Sequence, residues 1–297
     1  MKFDHLNPDH EDAAARLEID DNFRVLRAVP KPFSTMPQNG APPDGRCIVI
    51  VDLETSGLDP ERDAIIELAL MMVFVDDDGH VFGHFGPLSW LEDPGVPLEP
   101  EISMITGLAN HHLNGQSIPD DFVADMLDRA DLLVAHNAPF EVSWLERRFP
   151  AIAGKRWACS MRDIPWLHLG LDGRAQTALL MQHGWFSSAH RAAADVWALF
   201  WLLNESRTGW LKAPIQTHLQ RLLTAADTDT VMVEAHGAPF SAKDRLKSRG
   251  YRWHAGPPKF WMKEIDQLAL AKEQAWFQQE HLPTPQLRPV TASERHR

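Results

Sequence analysis

Asp52 and Glu54 stand two residues apart in C-I-V-I-V-D-L-E, at the end of a nearly unbroken apolar, β-branched run. A strand repeats every two residues, so both carboxylates project from one face, with Leu53 on the other. Two adjacent carboxylates repel and lose hydration when buried, a cost that is relieved when a cation joins them. The alternative is a strand end whose acids simply point to water. The next residues, T-S-G-L-D-P, place Thr55, Ser56 and Gly57 in a sharp turn that exposes backbone N–H groups. Two further constellations follow: His136-Asn137-Ala138-Pro139-Phe140-Glu141 ends a strand and opens a helix, and His190-Arg191-Ala192-Ala193-Ala194-Asp195 opens a third site.

The elements that must position these residues read as an α/β layer fold. Cys47–Leu53 has the pattern of a strand buried on both faces. Ala64–Val75 is a second strand, Asp76-Asp77-Asp78-Gly79 a hairpin turn and Val81–Trp90 a third strand. Asp120–Arg129 is helical and Asp131–His136 is another buried strand. Pro139–Arg148 is a helix with Pro in its first turn, where the missing N–H costs nothing. Trp157–Ser160 is a short strand, and Gln176–His183 and Ala192–Asn204 are helices. Three strands followed by alternating helix and strand predict a mixed sheet. Trp144, Trp185, Trp197 and Trp201 fall at core positions on these elements.

Residues 1–29 carry at most a weak helical pattern, and Pro30, Pro32, Pro37, Pro42 and Pro43 with Gly40 and Gly45 form a turn-rich tether. Beyond Asn204 the pattern changes: a linking helix over Gly209–Thr224, a strand at Thr230–Ala235, a helix at Ala242–Arg249, a hairpin from Tyr251–His254 and Phe260–Lys263, a helix at Asp266–Glu280, and a loose Pro-rich end past Leu282. The expected organisation is an N-terminal segment and tether (1–45), a main α/β domain (46–206), a linking helix (207–226) and a small basic α+β module (227–297).

The 297 residues are 44% hydrophobic and 24% charged, enough to bury a core. No apolar run approaches the roughly 18 residues of a membrane span, and the acidic N-terminus lacks a signal-type apolar stretch, so the expectation is a cytoplasmic chain without a membrane partner. Cys47 and Cys159 are the only cysteines, which excludes a disulfide framework and a cysteine-rich zinc site. Acidic residues outnumber Lys and Arg by 41 to 29, a net of −12, which argues against a general nucleic-acid-coating protein. The charge is uneven: residues 236–297 hold 11 basic and 6 acidic residues, residues 1–235 hold 18 and 35.

With its three motifs in order, residues 46–206 resemble the DEDDh 3′–5′ exonucleases, the superfamily of the epsilon proofreading subunit of bacterial DNA polymerase III. The resemblance implies a ribonuclease-H-like mixed sheet flanked by helices and hydrolysis of phosphodiester bonds from a 3′ end by a two-metal mechanism. Two hard cations, Mg2+ or Mn2+, would be held by carboxylates. By resemblance Asp52 bridges both ions, Glu54 and Asp195 complete one, Glu141 holds the other, and His190 is the general base. The family usually has Asp where this chain has Glu141, one methylene longer. Thr55 and Leu58 match positions that contact the 3′ end in relatives by backbone and by an apolar wedge. Ile105-Thr106-Gly107 resembles the loop that backs the terminal nucleotide, with an ordinary turn after a short helix as the other reading. Asn137 is either a substrate contact or a structural cap, while Glu67 in I-I-E-L-A reads as structural. The only tyrosine is Tyr251, outside this domain, which excludes the tyrosine-dependent branch.

In the C-terminal module, F-S-A-K-D-R-L-K-S-R-G-Y-R-W-H-A-G-P-P-K-F-W interleaves basic and aromatic residues. The expectation is an aromatic core with a basic outer face that either contacts nucleic acid or does not. The function expected is a 3′–5′ exonuclease on single-stranded DNA. Its alternatives are an exoribonuclease on short RNA and a non-catalytic nucleic-acid-binding module. No polymerase-docking segment is recognisable, so a polymerase partner would be analogy alone.

Overall fold

A computed structural model of the chain describes residues 6–35, 44–187, 190–207 and 215–297. It divides into two compact units, the first comprising Met1–Leu223 with His296–Arg297 and the second Thr224–Arg295. Both share the alternation of strand and helix that the hydrophobic periods predict.

The first unit is built on five strands: β1 (Arg46–Thr55), β2 (Ile65–Val75), β3 (Val81–Leu91), β4 (Leu132–Ala135) and β5 (Trp157–Cys159). Their order is β3-β2-β1-β4-β5, antiparallel across the first three and parallel from β1 to β5. This is the expected ribonuclease-H-like mixed sheet. The turn from β2 to β3 is closed by Asp76, whose Oδ1 accepts from the N–H groups of Asp78 and His80, and Gly79 there has φ 77, a conformation that favours glycine. Every residue of β2 is buried, so its apolar run reads as continuous rather than alternating.

Helices cover both faces of the sheet. Cys47, Val49, Val51 and Leu53 of β1 pack with Val123 and Leu127 of α3 (Asp120–Asp128) and Val142 and Leu145 of α4 (Ala138–Arg148). The opposite face is covered by α6 (Ala192–Asn204), which packs on β1, β2 and β3. Nine residues of α6 are buried, including Trp197 and Trp201, and Trp144 and Trp185 are buried as well. Other helices of this unit include α1 (Pro8–Leu17), α2 (Pro100–Thr106) and α5 (Gln176–Gln182).

Three local differences from the sequence reading have physical causes. Residues 8–17 form a full helix because Asn7 caps it, accepting from Asp9 N–H at 2.9 Å, and Pro8 occupies its first position. Of the Pro-rich tether, residues 36–43 lie outside the described residues, but its start is fastened: Trp197 Nε1 donates to Pro30 O at 2.7 Å, and the Phe33 ring packs on Trp197. Of the linking helix, residues 208–214 lie outside the described residues and α7 spans His218–Asp227.

The second unit is a four-stranded antiparallel sheet of β6 (Thr230–Ala235), β7 (Arg252–His254), β8 (Phe260–Asp266) and β9 (Gln286–Val290), with α8 (Lys243–Ser248) and α9 (Leu270–Gln279). Val233, Trp261, Leu246, Tyr251 and Phe277 form its core. The Pro-rich end is therefore not loose. It pairs with β6 as an edge strand, where Pro289 lacks a ladder donor at little cost. No helix among the described residues is long and apolar enough to cross a membrane.

Candidate active site

Strand parity places Ile48, Ile50, Asp52 and Glu54 on the face of β1 that α6 covers. The first turn of α6 carries Asp195, and ligand oxygens of Asp52, Glu54 and Asp195 all lie within 4.8 Å of one another. Glu141 comes from the first turn of α4, which follows β4, the parallel neighbour of β1. Parallel neighbours bring their carboxyl ends side by side, where α/β sheets place ligands. Glu141 is 4% exposed and its Oε2 has no hydrogen-bond partner.

The electrostatics are those of crowded, buried acids that outnumber the one nearby cation, Arg191. Burial first, then the charges of Glu141, Asp195, Glu54 and Glu67, push the Asp52 carboxyl well above the usual carboxylate range. Glu54 is pushed up to about 7 by burial, with Asp195 and Glu67 adding to the rise and Arg191 opposing it. Burial raises Glu141 to about 8 and also raises Asp195, the latter against the N–H of His190 that it accepts. An oxygen-only donor set, short of positive charge and holding one orphaned buried oxygen, fits a hard divalent cation.

His190 precedes α6 on an exposed turn with φ 68, a left-handed conformation that costs a residue with a β-carbon roughly 1–2 kcal/mol. Its N–H donates to Asp195 Oδ2 at 2.8 Å, so a candidate ligand also fixes the histidine's backbone. His136 is different. Its Nε2 donates to the Arg174 carbonyl and its Nδ1 accepts from the Ser160 hydroxyl, each at 2.7 Å, so both nitrogens are spent, one tying the end of β4 to that of β5 and the other holding the segment before α5.

Of the residues matched to 3′-end contacts, Thr55 donates its hydroxyl to Gly57 O at 2.5 Å, closing the turn after β1. A β-carbon on Gly57 would lie 2.2 Å from Asp63 Oδ2, so a larger residue there would displace the Asp63 carboxylate that accepts from Asp59 N–H. Leu58 is 85% exposed, and Ile105 is exposed on α2. Thr106 is buried, its hydroxyl donating to Ile102 O and accepting from Leu108 N–H, so the side chain closes the helix rather than facing outward. Asn137 is exposed and makes no side-chain cap bond to α4.

Sequence reasoning missed Arg191. Glu67 lies directly opposite Glu54 across the β1–β2 ladder and is completely buried. Its carboxylate accepts from Arg191 Nε at 2.9 Å, Arg191 Nη2 at 3.2 Å and Ala192 N–H at 3.3 Å, closing the N-terminus of α6. The signal was charge balance: a wholly apolar strand carrying one acid needs a cation from elsewhere, and Arg191 adjoins a motif histidine.

Residues 49–200, just over half of the chain, match the family described as Exonuclease (RNase_T). The chain belongs to this exonuclease family. All three motifs and every carboxylate above fall inside the matched span. PolC-type DNA polymerase III of Clostridium perfringens is 30% identical over 101 residues, 33% of this chain and 7% of the polymerase. The Halalkalibacterium halodurans enzyme of the same type is 34% identical over 105 residues, covering 34% and 7%. The chain thus spans under a tenth of the length of these relatives. Among solved structures it is similar to exonuclease X in complex with 5′-overhanging duplex DNA, with 25% identity, TM-score 0.37, and 51% of this chain and 86% of that chain covered. E. coli exonuclease I with a dA16 oligonucleotide gives 16% identity, TM-score 0.47, and coverage of 84% and 66%.

Proposed function

We propose that this exonuclease removes nucleotides from the 3′ end of single-stranded DNA, with two divalent cations, Mg2+ or Mn2+, held by Asp52, Glu54, Glu141 and Asp195. The observation that carries the reading is the cluster of Asp52 and Glu54 of β1 with Asp195 of α6, whose ligand oxygens lie within 4.8 Å of one another, beside the buried Glu141 of α4 whose charge acts on Asp52. When bound, such cations neutralise charge on the reacting phosphate and assist the leaving 3′ oxygen. The protein's own part is positional. Asp52 feels the charges of Glu141, Asp195 and Glu54 together, which suits a shared ligand, and the orphaned oxygen of Glu141 offers a further ligand. His190, exposed on a turn fixed to Asp195, is the base that takes a proton from the attacking water, since an imidazole can accept one at neutral pH. Exposed Leu58 and Ile105 offer apolar contacts for a terminal base, and Asn137 an uncommitted amide.

The test uses 5′-labelled DNA and RNA strands of equal sequence, each with Mg2+, Mn2+ or chelator. Metal-dependent shortening of the DNA from its 3′ end is expected, with no products in chelator. Degradation of RNA alone would change the substrate class, and no cleavage of either strand would overturn the proposal.

A further inference from the structure

One end of the second unit carries charge and aromatic surface that its own folding leaves unused. Half of its ten Lys and Arg residues are neutralised internally: Arg249 and Lys263 by Glu273, Arg245 by Glu280, Arg288 by Glu234 and Arg295 by Glu264. Lys243, Lys247 and Lys259 have no acidic partner among the described residues. Between positions 243 and 259 there are six basic residues and a single acid, Asp244. The aromatics divide in the same way. Tyr251, Phe260 and Trp261 are buried, whereas Phe240 is 85% and Trp253 50% exposed.

Topology brings these residues to one end of the sheet. Trp253, Trp261 and Ala235 occupy one row across β7, β8 and β6. From Ala235 the chain passes through residues 236–239 to Phe240, the start of the turn that leads into α8. Lys259 immediately precedes β8 at that same end. Lys243 Nζ sits 5.5 Å from the Phe240 ring centroid, and Lys247 follows one helical turn later on the same side. Single exposed apolar residues are ordinary, but two large rings among unpaired lysines form a platform that stacks bases and neutralises phosphates. An acidic peptide would satisfy the lysines and leave the rings without a partner.

We infer that Phe240, Lys243, Lys247, Trp253 and Lys259 form a second binding site for single-stranded DNA. The choice of ligand rests on the nuclease reading; the surface itself does not. The first unit has 19 basic against 32 acidic residues and repels a polyanion, while the second has 10 against 9. A covalently linked DNA-binding unit offsets that repulsion by raising the strand's local concentration.

The experiment uses the full chain with Asp52→Ala, in chelator, and measures fluorescence anisotropy of a labelled thymidine 30-mer against salt. Phe240→Ala with Trp253→Ala should weaken binding at least about fivefold per ring, and Trp253→Tyr should retain most of it. Reversing all three lysines to Glu should lower the slope of log affinity against log salt by about 2, roughly 0.7 per phosphate. In the catalytically intact chain, the same variants should hydrolyse a four-nucleotide strand like wild type. Circular dichroism verifies folding, which these exposed positions should not disturb. Unchanged affinity and slope would overturn the inference, as would an effect confined to RNA or polyglutamate competing as well as DNA. A chain that cleaves nothing yet loses DNA binding in these variants would refute the nuclease proposal and keep this site.

Discussion

At Asp52 the fields of four other carboxylates converge, so its removal should have the largest effect of any single side chain. Asp52→Ala and Asp195→Ala should each lower hydrolysis by at least about 100-fold, several kcal/mol of lost transition-state stabilisation. Near-wild-type turnover in either folded variant would remove the carboxylates from the chemistry. Glu141 poses a finer question, because it reaches from a helix with one methylene more than the family's usual Asp. Glu141→Gln keeps the shape and deletes the charge, so the metal concentration for half-maximal activity should rise about tenfold or more, while Glu141→Asp stays active. An unaltered metal titration in Glu141→Gln would leave Glu141 as a buried helix-start residue only.

The decisive element is α6, which covers the sheet with apolar residues and begins with chemistry. Its start is held by the Arg191–Glu67 pair, whose acid is fully buried while the Arg191 side chain is about half exposed. The two partners should therefore not be equivalent. Arg191→Met leaves a buried carboxylate facing Glu54 and should cost about 3 kcal/mol in urea unfolding. Glu67→Gln leaves an arginine that can turn to water and should cost less. The double variant should recover part of the Arg191→Met loss, and a strictly additive cycle would show that the pair does not couple.

For the whole molecule, the crowded acids make stability depend on pH and metal together. Glu54 and Glu141 keep protons to about 7 and 8 in the folded, metal-free chain but release them near 4.5 when unfolded. The folded state then binds more protons across that window, so stability falls as pH rises through it. His183 and His218 act oppositely, since burial first pushes them down to about 4 and 3, but their contribution is complete once pH passes about 6.5. In chelator the melting temperature should therefore fall between pH 6.5 and 8. Mg2+ or Mn2+ should raise it more at pH 8 than at pH 6.5, and Glu141→Gln should flatten the fall. A metal-independent melting profile over this range would mean that no cation binds among these carboxylates.

The sequence by itself determined the strands and helices that carry the site, with the three motifs, because apolar period and turn chemistry are local and β1, β2 and α6 express them without conflict. It also determined that Asp52 and Glu54 share a face, since parity along one strand needs no partner. Whatever depends on residues far apart in the chain was decided only by the tertiary structure. The sheet order sets Glu67 against Glu54, and packing of α6 on β1 brings Asp195 to the strand acids and makes Arg191 the cation that Glu67 requires. Burial likewise separated the hairpin aromatics, which look alike in sequence: Tyr251 and Trp261 complete a core, whereas Trp253, on the edge strand, has no further strand to cover it. The Pro-rich end shows the same limit, because its propensity is that of a loop until the open edge of β6 supplies the hydrogen bonds that hold it as a strand.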